Sequence, residues 1–159
     1  MPRKDPQDNV IARNRKAFHD YQILESFETG IALSGTEVKS CRNKSVSLNE
    51  AYAKIERGQL TLMDMNIAPY VCGNIFNHEP VRPRKLLMKK KEILKLSSKT
   101  QEKGLTLIPL KLYLKRGIIK LELGVGKGKS HEDKRETLRK RQDDMDMRRA
   151  TAHSSKYGD

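Results

Sequence analysis

Residues 105–125 hold two runs in which apolar and polar side chains alternate, LTLIPLKLYLK and, after Arg116-Gly117, IIKLELGV. In the second run Ile119, Leu121, Leu123 and Val125 fall on one side, and Lys120, Glu122 and Gly124 on the other. Strand side chains point to opposite faces in turn, so two such runs joined by a tight turn can bury one face and wet the other. An antiparallel hairpin is expected here. Pro109 cannot donate to a strand ladder, which places an edge or a bulge at that point. This pairing demands further strands to cover its apolar face, and the rest of the chain offers them.

From Tyr21 the residues Tyr21, Ile23, Glu25 and Phe27 share a phase, with Ile31 and Leu33 beyond Gly30, which reads as strand, turn, strand. Ser34 or Thr36 can cap a short helix with Glu37 in its first turn and Lys39, Arg42 and Lys44 toward its end, as the helix dipole favours. The run AYAKIERGQLTLMDMNI reads as two strands joined at Arg57-Gly58. Met63, Met65 and Ile67 are out of phase with Leu60 and Leu62, which implies a bulge or bend. Pro80 and Pro83 make the next stretch irregular. Residues 84–97 predict a helix, because Leu86, Leu87, Ile93 and Leu94 repeat at seven, and Gly104 closes that segment.

About six short strands, with a helix between the fourth and fifth, give a mainly β fold: a small OB-fold-like antiparallel barrel with flanking helices. Residues 1–10 read as a flexible arm and 11–126 as the barrel. Residues 127–159 carry ten Lys/Arg and seven Asp/Glu but few core-forming side chains. That segment cannot bury enough apolar surface to offset its ordering entropy, so the tail is expected to be disordered when free and helical from about 131 to 149 when bound.

Charge narrows the function. With 33 Lys and Arg against 20 Asp and Glu, the net charge of +13 favours polyanionic partners through counterion release. The stretch ARNRKAFHDY mixes cations, Asn, His and aromatics as RNA contacts do, and RPRKLLMKKKEILK holds seven Lys/Arg against one Glu. Cys41 and Cys72 stand apart from any Cys/His cluster, so no structural zinc, other metal or cofactor is expected, and both thiols are read as free. The N-terminal residues lack a signal-peptide core and no apolar run approaches the roughly 20 residues of a membrane helix, which points to the cytoplasm.

GVGKGKSHEDKR, residues 124–135, looks like a phosphate-binding loop but fails its spacing. The Walker pattern would put its first glycine at position 123, which is Leu123, and a hairpin precedes the loop where such enzymes carry a βαβ unit. His19-Asp20 and His131 with Asp133 are isolated acid–base pairs without a catalytic signature. The chain is read as a non-enzymatic RNA-binding protein.

The segments ARNRKAFHDY, ESFETGIALSGTEVKS, NIAPY, NHEPVRPRKLLMKKKEI, LTLIPLKLYLKRG and GKGKSHEDKR, in this order over nearly the whole chain, resemble the SmpB family, the SsrA-binding proteins of bacterial trans-translation. The resemblance implies an OB-fold-like barrel that binds the tRNA-like domain of tmRNA (SsrA RNA). It also implies that the protein accompanies alanyl-tmRNA with EF-Tu and GTP to stalled ribosomes for nascent-chain tagging and rescue, as a monomer. By the same resemblance the tmRNA-binding face comprises Asn14, Arg15, Lys16, His19, Tyr21, Glu28, Glu37, Lys39, Arg42, Arg84, Lys85, Leu87 and Lys120. The tail, with Lys127, Lys129, Asp133, Lys134 and Arg135, is implied to enter the decoding centre and empty mRNA channel. The chain departs from the family at Arg42-Asn43-Lys44-Ser45, where Arg-x-Gly-Lys is usual, and at Glu132, where Tyr or His is common; His131 lies one residue earlier. The alternative reading is a general OB-fold RNA-binding or ribosome-assembly protein without tmRNA specificity.

Overall fold

The computed structural model describes residues 9–73, 75, 77–102 and 104–157. Of the expected arm, residues 1–8 lie outside the described residues, and Val10 already belongs to the first strand. The elements are β1 (Val10–Arg13), α1 (Arg15–Asp20), β2 (Tyr21–Ile31), α2 (Gly35–Arg42), β3 (Val46–Ser47), β4 (Tyr52–Glu56), β5 (Gln59–Met63), β6 (Asn66–Ile67), β7 (Arg84–Leu87), α3 (Lys90–Thr100), β8 (Leu105–Lys115), β9 (Ile118–Gly128) and α4 (His131–Tyr157).

The alternating runs at 105–125 form the central hairpin, β8 with β9, and its register changes between Pro109 and Lys111, where a bulge was expected. The hydrogen-bonded order β8-β4-β5-β7-β2-β9, with β9 returning to β8, closes an antiparallel ring of six strands, and β1 adds to β8 outside it. The alternation makes this possible. Leu107 and Leu112 of β8 and Leu121 and Leu123 of β9 point inward and are fully buried, with Leu60, Leu62 and Leu86 from the other walls. Ile93 and Leu96 of α3 reach the same core, so the helix between the fourth and fifth ring strands plugs one end. The β4–β5 turn has Arg57 and Gly58 at φ 51° and 74°, and the β8–β9 turn has Arg116 and Gly117 at 52° and 77°. Paired positive φ values match the right-handed twist of a two-residue hairpin.

Several boundaries differ from the expectation. Residues 84–87 are strand, not the first turn of a helix, and the helix starts at Lys90. The repeat at seven in Leu86, Leu87, Ile93 and Leu94 spans a strand and a helix. Arg84 and Leu86 alternate inward at period two, and Leu96, fully buried, takes the core position expected for Leu94, which is 67% exposed. The expected turn at Gly30 is absent and β2 runs through it; the glycine instead leaves room for Leu87 on the neighbouring strand, whose Cβ would lie 3.1 Å from a Cβ at position 30. A bulge between Ile23 and Glu25 breaks the expected shared face. The phase change after Leu62 comes from Asp64, whose φ of 59° turns the chain so that Met65 and Ile67 re-enter the core. β1 and α1 were not anticipated, and the tail helix runs to Tyr157 instead of about 149.

A second, smaller core lies outside the barrel. Ala17 of α1 packs there with Ile108 and Leu110, beside Tyr21 and Ile23. Gly124 and Gly126 are buried in β9 beneath it. A Cβ on Gly124 would meet Leu110 Cδ1 at 2.9 Å, and one on Gly126 would meet Ile108 Cδ1 at 3.1 Å and Tyr21 Cβ at 3.2 Å. These glycines make room for the packing under α1. The near-Walker stretch therefore begins as a buried strand, not a loop, and β9 extends past the expected boundary at 126.

A Gly124→Val variant tests this packing. Strand propensity alone forecasts a gain from a β-branched residue. Displacement of Leu110 instead predicts a loss of about 1–3 kcal/mol in urea unfolding.

Candidate nucleic-acid interface

The polar side chains expected to meet RNA divide into a buried hub, an outer sheet face and the base of the tail. The hub forms where α2 meets β7. Glu37 sits in the first turn of α2, and its Oε1 accepts from the backbone N–H of Ser34 at 3.0 Å, one half of a capping box. The same oxygen accepts from Arg82 Nε at 2.9 Å, and Oε2 accepts from Arg84 Nε. Arg84 is fully buried and donates from Nη1 to the carbonyls of Met65 at 2.7 Å and Arg82 at 3.1 Å, and from Nη2 to that of Pro80 at 3.1 Å. Burial pushes the Glu37 carboxyl up, but bonds from Arg84, Arg82 and Ser34 outweigh it and hold it at about 2. Beside the hub, burial and the Glu37 charge push the Cys41 thiol up to about 12.

Glu37 and Arg84, expected to contact RNA, are buried, and their side chains are consumed in organising α2 and the chain around Met65, Pro80 and Arg82. Asn14 is also buried. Its Oδ1 accepts from Ala17 N at 3.1 Å as the N-cap of α1, and its Nδ2 donates to Pro109 O at 2.9 Å. Each of the three has a polar side chain that is buried with its bonds made inside the protein. The basic residues of α2 remain available: Lys39 and Arg42 are exposed, with Lys39 Nζ 5.4 Å from the centre of the Tyr70 ring.

On the outer wall, directly opposed residues share a face. Glu28 pairs in register with Glu122, Gly30 with Lys120 and with Leu87, and Lys120 with Tyr113. Glu28, Lys85, Leu87 and Lys120, which are distant in sequence, thus lie on one surface. Leu87 is 51% exposed there, an apolar side chain among charges. Tyr113 Oη donates to Glu28 Oε2 at 2.5 Å, and Lys115 Nζ lies 3.1 Å from the same oxygen. The Tyr113 bond first, then Lys115, hold the Glu28 carboxyl below its ordinary value. Neither Tyr113 nor Lys115 was singled out from the sequence. Their outward phase in an otherwise inward-packed strand was the available signal.

The third group surrounds α1. Arg15 and Lys16 are exposed, and Lys16 pairs with Glu50 at 2.8 Å. His19 Nδ1 lies 2.8 Å from Asp20 Oδ1, and Tyr21 is half-buried against the small outer core. The tail leaves from this place. Lys129 N donates to Asp20 O at 2.9 Å, and Lys129 Nζ donates to Phe18 O at 3.1 Å and Thr137 Oγ1 at 3.0 Å. Lys134 Nζ is 3.5 Å from Asp20 Oδ1. Asp133 accepts from Ser130 Oγ at 2.8 Å and Ser130 N at 3.2 Å, bonds that lower its carboxyl pKa and start α4. Lys127 and Arg135 are exposed, as is Glu132; the side chain of His131 lies outside the described residues. From Leu138 to His153 the residues of α4 are exposed throughout.

Cys41 and Cys72 are free. Among the described residues no group of three His, Cys, Asp or Glu is placed to hold a metal, and no helix is long and apolar enough to cross a membrane.

A family model described as SmpB protein matches residues 11–153. The chain belongs to the SmpB family. It is 60% identical over 134 residues to the SsrA-binding protein of Carboxydothermus hydrogenoformans, covering 84% of this chain and 90% of that one. It is 52% identical over 147 residues to the SsrA-binding protein of Bacillus subtilis, covering 92% and 94%. A chain from a solved structure described as "tmRNA-SmpB: a journey to the center of the bacterial ribosome" is 48% identical, with a TM-score of 0.65 over 80% of this chain and 94% of that chain. The closed six-stranded barrel with flanking helices is thus the architecture of an SmpB-family chain.

The hub predicts acid sensitivity. The folded pKa of Glu37 is depressed, so the unfolded chain takes up the proton first. The stabilisation is complete above the ordinary value of 4.5 and is lost as pH falls toward about 2. Glu37→Gln should lower unfolding free energy at neutral pH by about 3–5 kcal/mol, because two guanidinium groups lose their counter-charge. Urea titrations of both proteins between pH 7 and pH 2.5 check this, with the variant showing the shallower acid slope.

Proposed function

We propose that this protein binds the tRNA-like domain of tmRNA and delivers it to stalled ribosomes for trans-translation, in which the nascent chain is tagged and the ribosome freed. The observation that carries the reading is the 48% identity to the chain of the tmRNA–SmpB ribosome structure over 94% of that chain. The names of the curated relatives support it, and the alternative of a general RNA-binding protein has no such support.

In this reading Glu28, Lys85, Leu87 and Lys120 on the outer wall, with Arg15, Lys16, His19 and Tyr21 at α1 and Lys39 and Arg42 on α2, form the tmRNA-binding surface. The cations position the RNA through phosphates, while Glu28 accepts from base edges. Asn14, Glu37 and Arg84 act behind that surface by fixing α1 and α2. The protein works in the cytoplasm as a monomeric binding partner, not an enzyme, and travels with alanyl-tmRNA, EF-Tu and GTP.

Lys127, Lys129, Asp133, Lys134 and Arg135 carry the tail into the decoding centre and the vacant mRNA channel. The exposed part of α4 buries too little to be stable alone, so its helical order is coupled to RNA contact. The latch at Asp20 and the capping box at Ser130–Asp133 seed that order.

Truncation separates the two tasks. The cut belongs after Ser130, because Lys127 and Gly128 are paired with Gln22 and Tyr21 in the barrel wall. The truncated protein should bind tmRNA within about threefold of the full chain, in line with a loss below ~1 kcal/mol, yet fail to support tagging on stalled ribosomes. Filter binding and a tagging assay measure the two; an equal loss of RNA affinity contradicts the division of labour. Competition at physiological salt between tmRNA and an unrelated structured RNA tests specificity, with tmRNA expected to win.

A further inference from the structure

A cleft of about 560 Å³ opens on the outer wall beside Glu28. Ser26, Glu28, Lys111, Tyr113, Lys115 and Arg116 are among its lining residues. Its two carboxylates are held in place: Glu28 by Tyr113 Oη and Lys115, and Glu122 by Lys111 Nζ at 3.0 Å. Lys111 Nζ also lies 5.4 Å from the Tyr113 ring centre and covers one face of it. That face of the ring is taken by the cation, and its hydroxyl is committed to Glu28.

An ionised Glu28 with its orientation fixed is an acceptor for paired N–H donors, which a nucleobase edge supplies. Lys115 and Arg116 stand at the same cleft, and Arg116 occupies the first turn position at φ 52°, a conformation that Asn or Gly adopts more easily. A strained cation at a hairpin tip beside an oriented acceptor and an aromatic hydroxyl is suited to one nucleotide: base edge toward Glu28, phosphate toward the turn.

We propose that this cleft is a nucleotide subsite of the RNA interface, in which Tyr113 positions Glu28 to read a base edge and Lys115 and Arg116 hold the adjoining phosphate. The proposal rests on the tmRNA-binding reading and extends its surface from Leu87 and Lys120 across β9 to the β8–β9 turn. Lys120 stands opposite Tyr113 in register, so the strand of RNA crosses one continuous face.

The test uses the full chain and tmRNA, with dissociation constants measured across salt concentrations. Tyr113→Phe and Glu28→Gln should each weaken binding by about tenfold, the scale of a hydrogen bond to a charged group. The double variant should be no weaker than Glu28→Gln alone, because Tyr113 acts through Glu28. Multiplying effects overturn the positioning role. Arg116→Asn forms the Asn-Gly pair that this turn type favours, so it removes charge without disturbing the hairpin. It should lower the slope of log Kd against log salt by about 0.7–0.9, the release from one phosphate. An unchanged slope overturns the phosphate assignment. Lys120→Ala is the reference: if it weakens binding while Tyr113→Phe and Arg116→Asn do not, the cleft lies outside the interface and the wider reading stands. If Lys120→Ala is also silent, the outer-wall reading itself fails.

Discussion

The buried bond between Glu37 and Arg84 is the interaction on which the rest of this structure depends. Arg84 begins β7, a strand of four residues that joins β5 to β2, so it sits where the ring would otherwise open. A charged side chain at that depth is tolerable only with a counter-charge and with its remaining nitrogens hydrogen-bonded. Glu37 supplies the first, and the carbonyls of Met65, Arg82 and Pro80 supply the second. One guanidinium thereby fixes a helix, a strand and an irregular segment that has little regular structure of its own. The surface cations of α2, Lys39 and Arg42, inherit their placement from it.

The outer wall follows a different logic. There the alternation that buries Leu121 and Leu123 obliges Lys120 and Glu122 to face water, and the register brings Glu28, Leu87 and Tyr113 beside them. No single segment encodes this surface. It exists because β2, β7, β8 and β9 are neighbours, and Gly30 lets Leu87 approach without a clash.

What could be read beforehand divides along that line. The β8–β9 hairpin, both Arg-Gly turns, the bend near Asp64 and the capped α2 were legible because their signals are local: alternation, turn chemistry and a Glu three residues after Ser34. The strand at 84–87 was not, because four residues with two leucines fit either period, and only pairing with β2 and β5 decides. The outward phase of Gly124 in the last strand did not reveal its burial for a similar reason; what excludes a Cβ at 124 and 126 is Leu110 and Ile108 from the neighbouring strand. For the candidate site, resemblance supplied the residue types but could not separate contact from support. Asn14, Glu37 and Arg84 carry the same chemistry in sequence as Lys16 or Glu28, and burial alone tells them apart. Tyr113 escaped notice because its role arises from a cross-strand partner 85 positions away.

The attachment of the tail has a mechanical side. A helix of the 27 residues from His131 to Tyr157 is about 40 Å long at ~1.5 Å per residue. Near its origin it is tied to the body by Lys134, which reaches Asp20, and by Lys129, which bridges Phe18 and Thr137. For a helix of that length, about 10° of rotation at its base moves the far end by about 7 Å, roughly the depth of a nucleic-acid groove. The bonds around Asp20 thus bear on where the far end is aimed, and a partner that grips α1 also grips the base of the helix.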